Sequence, residues 1–383
     1  MEIKLKRSTG EYTSIPEFLK FSQTCARQCY SEKDFDELEK EPFNTNNLID
    51  RTLNSGHHSV HEHGHLTFYM KGIPKALAMV FNNEKQYVTS EKSARYTQMK
   101  DVKSEQKEKY DKWMTIFERR TREEYPESKY ARLYVKDDTG KTPAQKLAQE
   151  NARYVTSVFT PTKMIHTVNL RQLNFLIYEF EDFIDKFKNG KDLFKSQLAD
   201  SMIEFLGQVK SFKIEGLKNQ TDRHLSFFGN PVEEHFGDVY STNYLMSLAC
   251  LAQAHRHRTI NYQVAEDIKL GASHGFHVPK IIRNTGLGNE WISDLRYVAG
   301  YDFPQAQLIS ITERGIREDF RSKLILRLCG HAQHEIMERT LSVAKNYAEK
   351  DIDKEWLKPK CLQGMQCNSK CIWGGKKALE RLI

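Results

Sequence analysis

The sequence has no apolar run close to the length of a membrane-spanning helix. The longest apolar stretch, Tyr244 to Ala254, is much shorter than the roughly 20 residues that a span requires, and the basic segment His255 to Arg258 follows it. The first residues, MEIKLKRSTGEYTS, contain no apolar signal core. The sequence therefore predicts a cytoplasmic protein with no membrane partner.

Cysteine, glycine and proline are also scarce. The 383 residues include 7 cysteines, 20 glycines and 10 prolines, which argues against a disulfide framework and against long flexible linkers. Cys361, Cys367 and Cys371 could hold a metal with a fourth ligand, but their spacing matches no common zinc pattern. We therefore predict a loosely ordered tail and no metal. No cysteine is flanked by an activating pair, which argues against a cysteine nucleophile.

The remaining composition is that of a globular protein with a modest positive charge. Hydrophobic residues make up 39% and charged residues 28%, and the net charge is +7. This length favours two domains, and this charge fits a protein that binds anionic small molecules. The basic clusters are interleaved with acids and mostly lack the aromatic residues of an RNA-binding surface. An RNA-binding protein is the alternative class, and we predict no nucleic-acid partner.

Two stretches of the sequence have the same organisation. Each begins with a Glu-His pair, continues with an alternating segment that predicts a strand, and then has an apolar helical segment and a polar or basic cluster. The pairs are Glu62-His63 and Glu234-His235. A repeat spacing of about 170 residues is typical of a duplicated domain and too long for a solenoid. We predict an α+β fold with two domains, 1–215 and 216–383, joined within the polar segment Lys210 to Arg223.

Four further segments predict helices. Residues 168–184 and 320–337 are amphipathic, and residues 100–125 and 185–205 carry charges at helical spacing, which is typical of a solvated helix face.

The sharpest chemical feature is the cluster Arg256-His257-Arg258, which follows Gln253 and His255. Adjacent cations repel one another, so they are best tolerated where an anion compensates their charge. Arginine offers forked donors that suit a phosphate or a planar ring rich in carbonyl groups. The alternative is a solvated basic end of a helix, which the helix dipole stabilises.

Two weaker patterns lie in the first half. Ser93 and Arg95, with the small Ala94 between them, could form a turn that grips a phosphate. The segment His57 to His63 contains four imidazoles, but no carboxylate or thiol pattern completes a metal site. We predict packing or cofactor contact for these histidines and no metal.

The segment GHHSVHEHGHLTFYMKGIPKALAMVFNNEKQYVTSEKSARYTQM resembles the first half of flavin-dependent thymidylate synthases, whose signature is R-H-R-x-x-S-x-x-x-x-S-x-R. In the first half only the end of that signature is present, at Ser93 and Arg95, and Asn83, Glu84 and Lys85 occupy the R-H-R places. In the second half the reverse holds: Arg256, His257 and Arg258 are present, while the end of the signature is lost at Glu266 and Ile268.

The same division recurs downstream. The first half keeps Arg153 and the N-x-R segment with Asn169, Arg171 and Asn174, but has Phe180 where the family has a helix arginine. The second half has Ile316 and Glu318 at the N-x-R places and keeps Arg327 and the segment Ala332 to Ile336. Each half therefore lacks what the other supplies, which the resemblance explains as one surviving site after a duplication.

The resemblance implies that the chain methylates dUMP to dTMP with FAD, taking the carbon from methylenetetrahydrofolate and the electrons from NADPH. It assigns Ser93, Arg95 and Arg153 to the phosphate, Glu91 to the pyrimidine and sugar, and Gln253, Arg256 and Arg327 to the uracil, with Arg327 as the catalytic residue. It assigns nine residues to FAD: His57, Ser59, Asn169, Arg171, Asn174, Arg256, His257, Arg258 and His331.

The resemblance also implies a homodimer equivalent to the family tetramer, and it favours sites shared across that dimer. Two alternatives within the family stay open. One is a methyl- or hydroxymethyltransferase acting on a related pyrimidine or on uridine in RNA. The other is a homologue that binds flavin and nucleotide without turnover.

Overall fold

The structure is a computed structural model that describes residues 1–42, 48–97, 101–218, 223–349, 354–365, 371–373 and 375–383. Its strands form two antiparallel four-stranded sheets. The strands are β1 Glu2–Ser8, β2 His65–Pro74, β3 Val88–Glu91, β4 Pro161–Asn169, β5 His235–Phe236, β6 Val239–Ser247, β7 Asn261–Val264 and β8 Leu308–Ile316.

Helices surround both sheets, so the predicted α+β class is confirmed. They are α1 Ile15–Gln28, α2 Phe35–Lys40, α3 Leu48–Asn54, α4 Lys75–Phe81, α5 Ser104–Glu124, α6 Glu127–Tyr130, α7 Pro143–Ala152, α8 Leu170–Phe187, α9 Leu193–Val209, α10 Leu248–Ala254, α11 Lys280–Arg283, α12 Gly286–Ala299, α13 Arg317–Arg327, α14 His334–Ala348 and α15 Lys377–Glu380. Within the described residues, no helix combines the length and the apolar character that crossing a membrane requires.

The chain divides into two compact units that do not follow a single cut in the sequence. Unit 1 comprises Met1–Lys92 and Pro161–Ser226, and unit 2 comprises Ser93–Thr160 and Phe227–Ile383. The segment 93–160, which carries α5, α6 and α7, therefore packs with the second half of the chain. The domain limits 1–215 and 216–383 stay a prediction about the sequence repeat, while these units describe which residues pack together.

Unit 1 has the sheet order β1-β2-β4-β3. Along β2 the side chains of Leu66, Phe68 and Met70 are buried and alternate with more exposed residues, as a half-buried strand requires. Helices α8 and α9 supply further aromatic side chains: Phe180 and Phe205 pack 5.6 Å apart, measured between ring centroids.

Unit 2 has the sheet order β5-β6-β8-β7. This order is the same as in unit 1 when β5, β6, β7 and β8 are matched to β1, β2, β3 and β4. One of its hydrophobic clusters joins α5, α7 and α12, and in it the rings of Trp113 and Trp291 meet edge to face with centroids 4.7 Å apart. The same cluster includes Trp373, Ala378 and Ile383. Of the predicted loosely ordered tail, Cys361 to Cys371, the structure describes residues 361–365 and 371. Apolar side chains of residues 371–373 and 375–383 are buried in or packed against this core. Cys367 lies outside the described residues.

Most of the predicted elements are confirmed, namely the strand-then-helix pairs β2–α4 and β6–α10 and the helices α5 and α8. The helix predicted over 185–205 is interrupted, since α8 ends at Phe187 and α9 begins at Leu193, where the Asp192 side chain caps it by accepting from the Lys195 amide at 3.0 Å.

The continuous helix predicted over 320–337 is wrong. Helix α13 ends at Arg327 and α14 begins at His334. Between them Gly330 lies so close to the tail that a Cβ there would be 2.8 Å from both Cys371 Sγ and Trp373 Cβ. Contacts with the tail replace helical hydrogen bonds in this turn, because the Ala332 carbonyl accepts from Arg381.

Candidate functional site

The turn that follows β3 carries Ser93 and Arg95. The Ser93 carbonyl accepts hydrogen bonds from the amides of Tyr96 at 3.2 Å and Thr97 at 3.0 Å, and the Ser93 hydroxyl accepts from the Arg95 amide at 3.4 Å. Helix α7 holds the turn in place, because Gln149 Nε2 donates to the Ala94 carbonyl at 3.2 Å. The predicted phosphate-binding residues thus lie on a hydrogen-bonded turn.

Helix α7 and the turn between α13 and α14 fix two guanidinium groups. Arg95 pairs with Glu150 and donates to the His331 carbonyl at 2.9 Å. Arg153 follows α7 directly and donates to Gln333 Oε1 at 2.6 Å. Although burial alone would lower it, the pKa of Arg95 is raised by the Glu150 carboxylate, so the guanidinium remains charged.

The end of α10 presents the second group of candidate residues. His257 Nε2 accepts a hydrogen bond from Arg327 Nε at 2.6 Å, and Arg327 Nη2 lies 3.5 Å from the Gln253 carbonyl. Burial, and then the positive charges of Arg327 and Lys323, lower the pKa of His257 to about 2. His257 is therefore a neutral acceptor that orients the Arg327 side chain.

A chain of buried hydrogen bonds connects the two groups. Glu335 accepts from the Ser247 hydroxyl and from the Tyr154 hydroxyl, each at 2.6 Å, and Tyr154 also accepts from Gln333 Nε2. Ser247 caps α10 by accepting from the Cys250 amide at 3.0 Å, while Gln333 holds Arg153. The network thus fixes α10, which carries Gln253, relative to Arg153.

Four arginines of unit 2 lie within electrostatic range of one another. The positive charges of Arg95 and Arg256 act on both Arg153 and Arg327. Burial, together with those two charges, lowers the pKa of Arg327 to about 10. Among the described residues, the four guanidinium groups form one ion pair, between Arg95 and Glu150. Such an excess of positive charge suits an anionic ligand.

Buried polar atoms without partners lie in the same place. Gln253 is 5% exposed, and neither its Nε2 nor its Oε1 has a hydrogen-bond partner in the described part of the chain; the same holds for Arg153 Nε. An unsatisfied buried amide costs about 1–3 kcal/mol. A ligand with both donors and acceptors would remove that cost at Gln253.

Comparisons with known proteins relate the first half of the chain to one family. Residues 12–178 match the family model described as "Thymidylate synthase complementing protein". The flavin-dependent thymidylate synthase of Clostridium tetani (strain Massachusetts / E88) is 28% identical over 173 residues, which are 43% of this chain and 69% of that protein. Residues 12–178 are therefore similar to this family.

Two solved structures are similar to the chain at lower identity. One is thymidylate synthase X from Helicobacter pylori with FAD and dUMP, 20% identical with a TM-score of 0.32, which covers 57% of this chain and 100% of that one. The other is the UMP/dUMP methylase PolB from Streptomyces cacaoi bound with 5-Br dUMP, 21% identical with a TM-score of 0.29, which covers 46% of this chain and 76% of that one.

Six of the seven residues assigned to the substrate lie in unit 2: Ser93, Arg95, Arg153, Gln253, Arg256 and Arg327. Glu91, the seventh, ends β3 in unit 1, where Lys75 lies 2.5 Å and Asn82 3.2 Å from its carboxylate. Residues from both halves of the sequence are thus brought together in one unit of a single chain. The individual roles stay predictions.

The residues assigned to FAD are divided between the units. Arg256, His257, Arg258 and His331 lie in unit 2, and all but His257 are exposed. His57 and Ser59 are exposed in unit 1.

The other three FAD residues of unit 1 already have partners. Asn169 caps α8 by accepting from the Gln172 amide at 2.7 Å, and Arg171 pairs with Glu62 at 2.6 Å. Asn174 is fully buried and bonds the Ile214 amide at 2.7 Å and two carbonyls. Contact of these three side chains with a flavin nucleotide stays a prediction, and it requires these bonds to be exchanged.

In unit 1, the positions that correspond to Arg327 and His257 hold side chains that pack against or bond other residues of the protein. Phe180 lies as far beyond β4 as Arg327 lies beyond β8, and its ring packs against Phe81 at 5.6 Å between centroids. Glu84, at the place of the central histidine of the R-H-R segment, is fully buried. It bonds Arg223 at 3.1 Å and the Ser226 amide at 2.7 Å. At these two positions unit 1 therefore has an aromatic ring and a carboxylate, where unit 2 has Arg327 and His257.

Four residues that support the candidate site carry no role in the sequence-based predictions. Glu150, Tyr154, Gln333 and Glu335 hold the arginines and α10. Gln333 and Glu335 belong to the segment Ala332 to Ile336, which is part of the resemblance, so the sequence contained a signal for them. Only the fold reveals that Glu150 pairs with Arg95 and that Tyr154 bonds both Glu335 and Gln333.

The histidine segment of the first half forms a 3-10 helix, His58–His63, with His58 and His61 buried. In the described part of the chain, one group of three side chains could hold a metal ion, formed by Glu179, Asp182 and His224. None of the histidines from His57 to His63 takes part in it.

Proposed function

We propose that this chain methylates the pyrimidine ring of dUMP, with FAD as cofactor, in a single site per chain. The observation that carries the proposal is the cluster of four arginines in unit 2, Arg95, Arg153, Arg256 and Arg327, beside the amide of Gln253, which has no hydrogen-bond partner among the described residues. In the described part of the chain these arginines form one ion pair, Arg95 with Glu150. A nucleotide monophosphate matches this arrangement, since it has a dianionic end and a ring with both donors and acceptors.

In this proposal one group of residues binds the phosphate of the nucleotide and the other group binds its uracil ring. Ser93, Arg95 and Arg153 hold the phosphate by charge-assisted hydrogen bonds. Gln253 pairs with the uracil amide edge, and Arg327 donates to a uracil carbonyl. Negative charge develops on that carbonyl when the ring is attacked, so the half-buried guanidinium stabilises the transition state more than the ground state.

The second-unit residues also fit the cofactor. Arg256 and Arg258 are exposed cations on either side of the buried His257, an arrangement that suits a pyrophosphate. When bound, FAD would supply the hydride chemistry. Methylenetetrahydrofolate as carbon donor and NADPH as electron donor follow the resemblance. The homodimer is a prediction on the same basis, and the cytoplasmic location stays a prediction from the composition of the sequence.

We infer that the two units arose by duplication. The support is the identical sheet order, together with the matching positions of β2–α4 and β6–α10 in the sequence. After a duplication, one copy can lose its site while both copies keep the fold. Such a loss would explain why unit 1 has Phe180 and Glu84 at the positions where unit 2 has Arg327 and His257.

The first test is the flavin content of the purified chain. We expect one FAD per chain, because Phe180 and Glu84 close the counterpart positions of unit 1. Titration of flavin-free protein with FAD, followed by visible absorption, measures the stoichiometry, and conversion of dUMP to dTMP by the loaded protein measures the activity. Two equal FAD sites would contradict the single-site proposal. Flavin binding without dTMP formation would favour the inactive homologue or another pyrimidine.

The second test asks whether one chain holds a complete substrate site. We expect a mixture of Arg95→Ala and Arg256→Ala chains, dissociated and reassociated, to remain inactive, because both arginines lie in unit 2 of the same chain and every chain in the mixture carries one lesion. A mixture of wild-type chains taken through the same treatment controls for losses on reassociation. Recovery of activity in the mutant mixture would show that sites are shared across a dimer, as the resemblance favours.

A further inference from the structure

We propose that Arg381 is a positioning residue for the phosphate-binding arginines, so that the tail formed by residues 371–373 and 375–383 sets the affinity of the site for the phosphate of its nucleotide. This proposal rests on the proposed function and assigns to the tail a role in it. The tail lies in unit 2 with Arg95 and Arg153.

Arg381 holds the centre of the turn between α13 and α14. Its Nη2 donates to the Ala332 carbonyl. The residues on either side of Ala332 make the contacts to the phosphate arginines: the His331 carbonyl accepts from Arg95 at 2.9 Å, and Gln333 Oε1 accepts from Arg153 at 2.6 Å. A shift of Ala332 would therefore move both acceptors.

Arg381 is itself built into the core. It is 3% exposed, and its other donors bond the Ala378 carbonyl at 2.7 Å and the Ile383 carbonyl at 2.9 Å. Its own carbonyl accepts from His334 Nε2 at 2.8 Å, which ties the tail to the first residue of α14. A buried guanidinium whose hydrogen bonds go to carbonyl groups has a high desolvation cost. Its hydrogen bonds offset that cost, and the bond to Ala332 fixes the turn.

The tail is anchored at further points that do not involve the turn. The Leu382 amide donates to the Tyr125 hydroxyl at 2.7 Å, and the rings of Tyr125 and Trp373 pack edge to face with centroids 4.8 Å apart. These anchors keep the segment in place when the Arg381 side chain alone is changed. The side chain can therefore be tested without removing the tail.

The test compares dUMP with deoxyuridine, which lacks the phosphate. Calorimetric titration of the full chain should show that Arg381→Met weakens dUMP binding about tenfold, the loss of one well-placed charge-assisted contact, and leaves deoxyuridine binding unchanged. The matched control is Arg314→Met, which removes a partly buried arginine bonded to Gln263 elsewhere in unit 2 and should change neither constant. Equal weakening of both ligands, or no weakening of dUMP, would overturn the proposal.

A second variant covers the case in which Arg381→Met does not fold. Arg381→Lys keeps the positive charge but cannot bond three carbonyls at once. It should increase amide hydrogen exchange across residues 328–333 and weaken dUMP selectively, whereas unchanged exchange and affinity would refute the positioning role. Failure of the wild-type chain to bind dUMP at all would instead count against the proposed function.

Discussion

Arg327→Ala is expected to lower the rate of dUMP methylation by a factor of about 10²–10³, the range measured when one donor to a developing oxyanion is removed. Arg327 is held by His257 at 2.6 Å, and its guanidinium lies within range of the positive charges of Arg95 and Arg256. Removing it should reduce the rate far more than it reduces dUMP affinity, since the phosphate contacts remain. Steady-state kinetics with dUMP, measured at saturating FAD, separates the two effects.

Two variants serve as controls for Arg327→Ala. Arg321→Ala removes an exposed arginine from the same helix α13, where its guanidinium lies 5.2 Å from the Trp356 ring centroid, and should leave turnover unchanged. Phe180→Leu alters the counterpart position in unit 1 and should affect packing without affecting chemistry. Near-normal activity of Arg327→Ala, or an equal loss in Arg321→Ala, would contradict the assignment of the catalytic residue.

Lys323→Met is expected to destabilise unit 2 by about 3–5 kcal/mol, because it leaves a buried carboxylate without its cation. Lys323 is 1% exposed, and its Nζ lies 2.7 Å from Glu313 Oε2 in the interior of the unit. Tyr240 and Tyr244 donate to the same carboxylate, but neutral hydroxyls do not balance its charge. Urea unfolding of the flavin-free protein measures the free energy of unfolding of each variant.

The tryptophans make this measurement specific to one unit. All 4 tryptophans of the chain, Trp113, Trp291, Trp356 and Trp373, lie in unit 2, so their fluorescence follows the unfolding of that unit. The matched control is Lys358→Met, which breaks an exposed pair with Glu355 and should cost less than about 1 kcal/mol. Similar losses in the two variants would show that the Glu313–Lys323 pair contributes no more than a surface pair.

The placement of segment 93–160 explains how candidate residues from the two complementary halves of the sequence come to lie in one unit. Ser93, Arg95 and Arg153 belong to the first half of the sequence, but helices α5 and α7 pack in the same hydrophobic cluster as α12. The phosphate residues therefore share a unit with Arg256 and Arg327. After a duplication, the corresponding positions of unit 1 would be free to fill with Phe180 and Glu84, because no substrate need bind there.

Local sequence alone determined the α+β class, the strand-then-helix pairs and the candidate arginines. The alternation of buried residues in β2 and the amphipathic pattern of α8 depend on neighbouring positions, and such patterns report secondary structure directly. The resemblance depends on arginines at the positions of the family signature. It therefore identified four candidate arginines, Arg95, Arg256, Arg258 and Arg327.

Tertiary structure decided where the helix of 320–337 breaks, that residues 371–373 and 375–383 pack against the core of unit 2, and which residues support the arginines. The break depends on Gly330 meeting Cys371 and Trp373, and the support depends on pairs such as Tyr154–Glu335, whose members are far apart in the sequence. No local pattern contains such pairs. They form only when packing of the apolar cores brings distant segments together and each buried polar atom must then find its partner there.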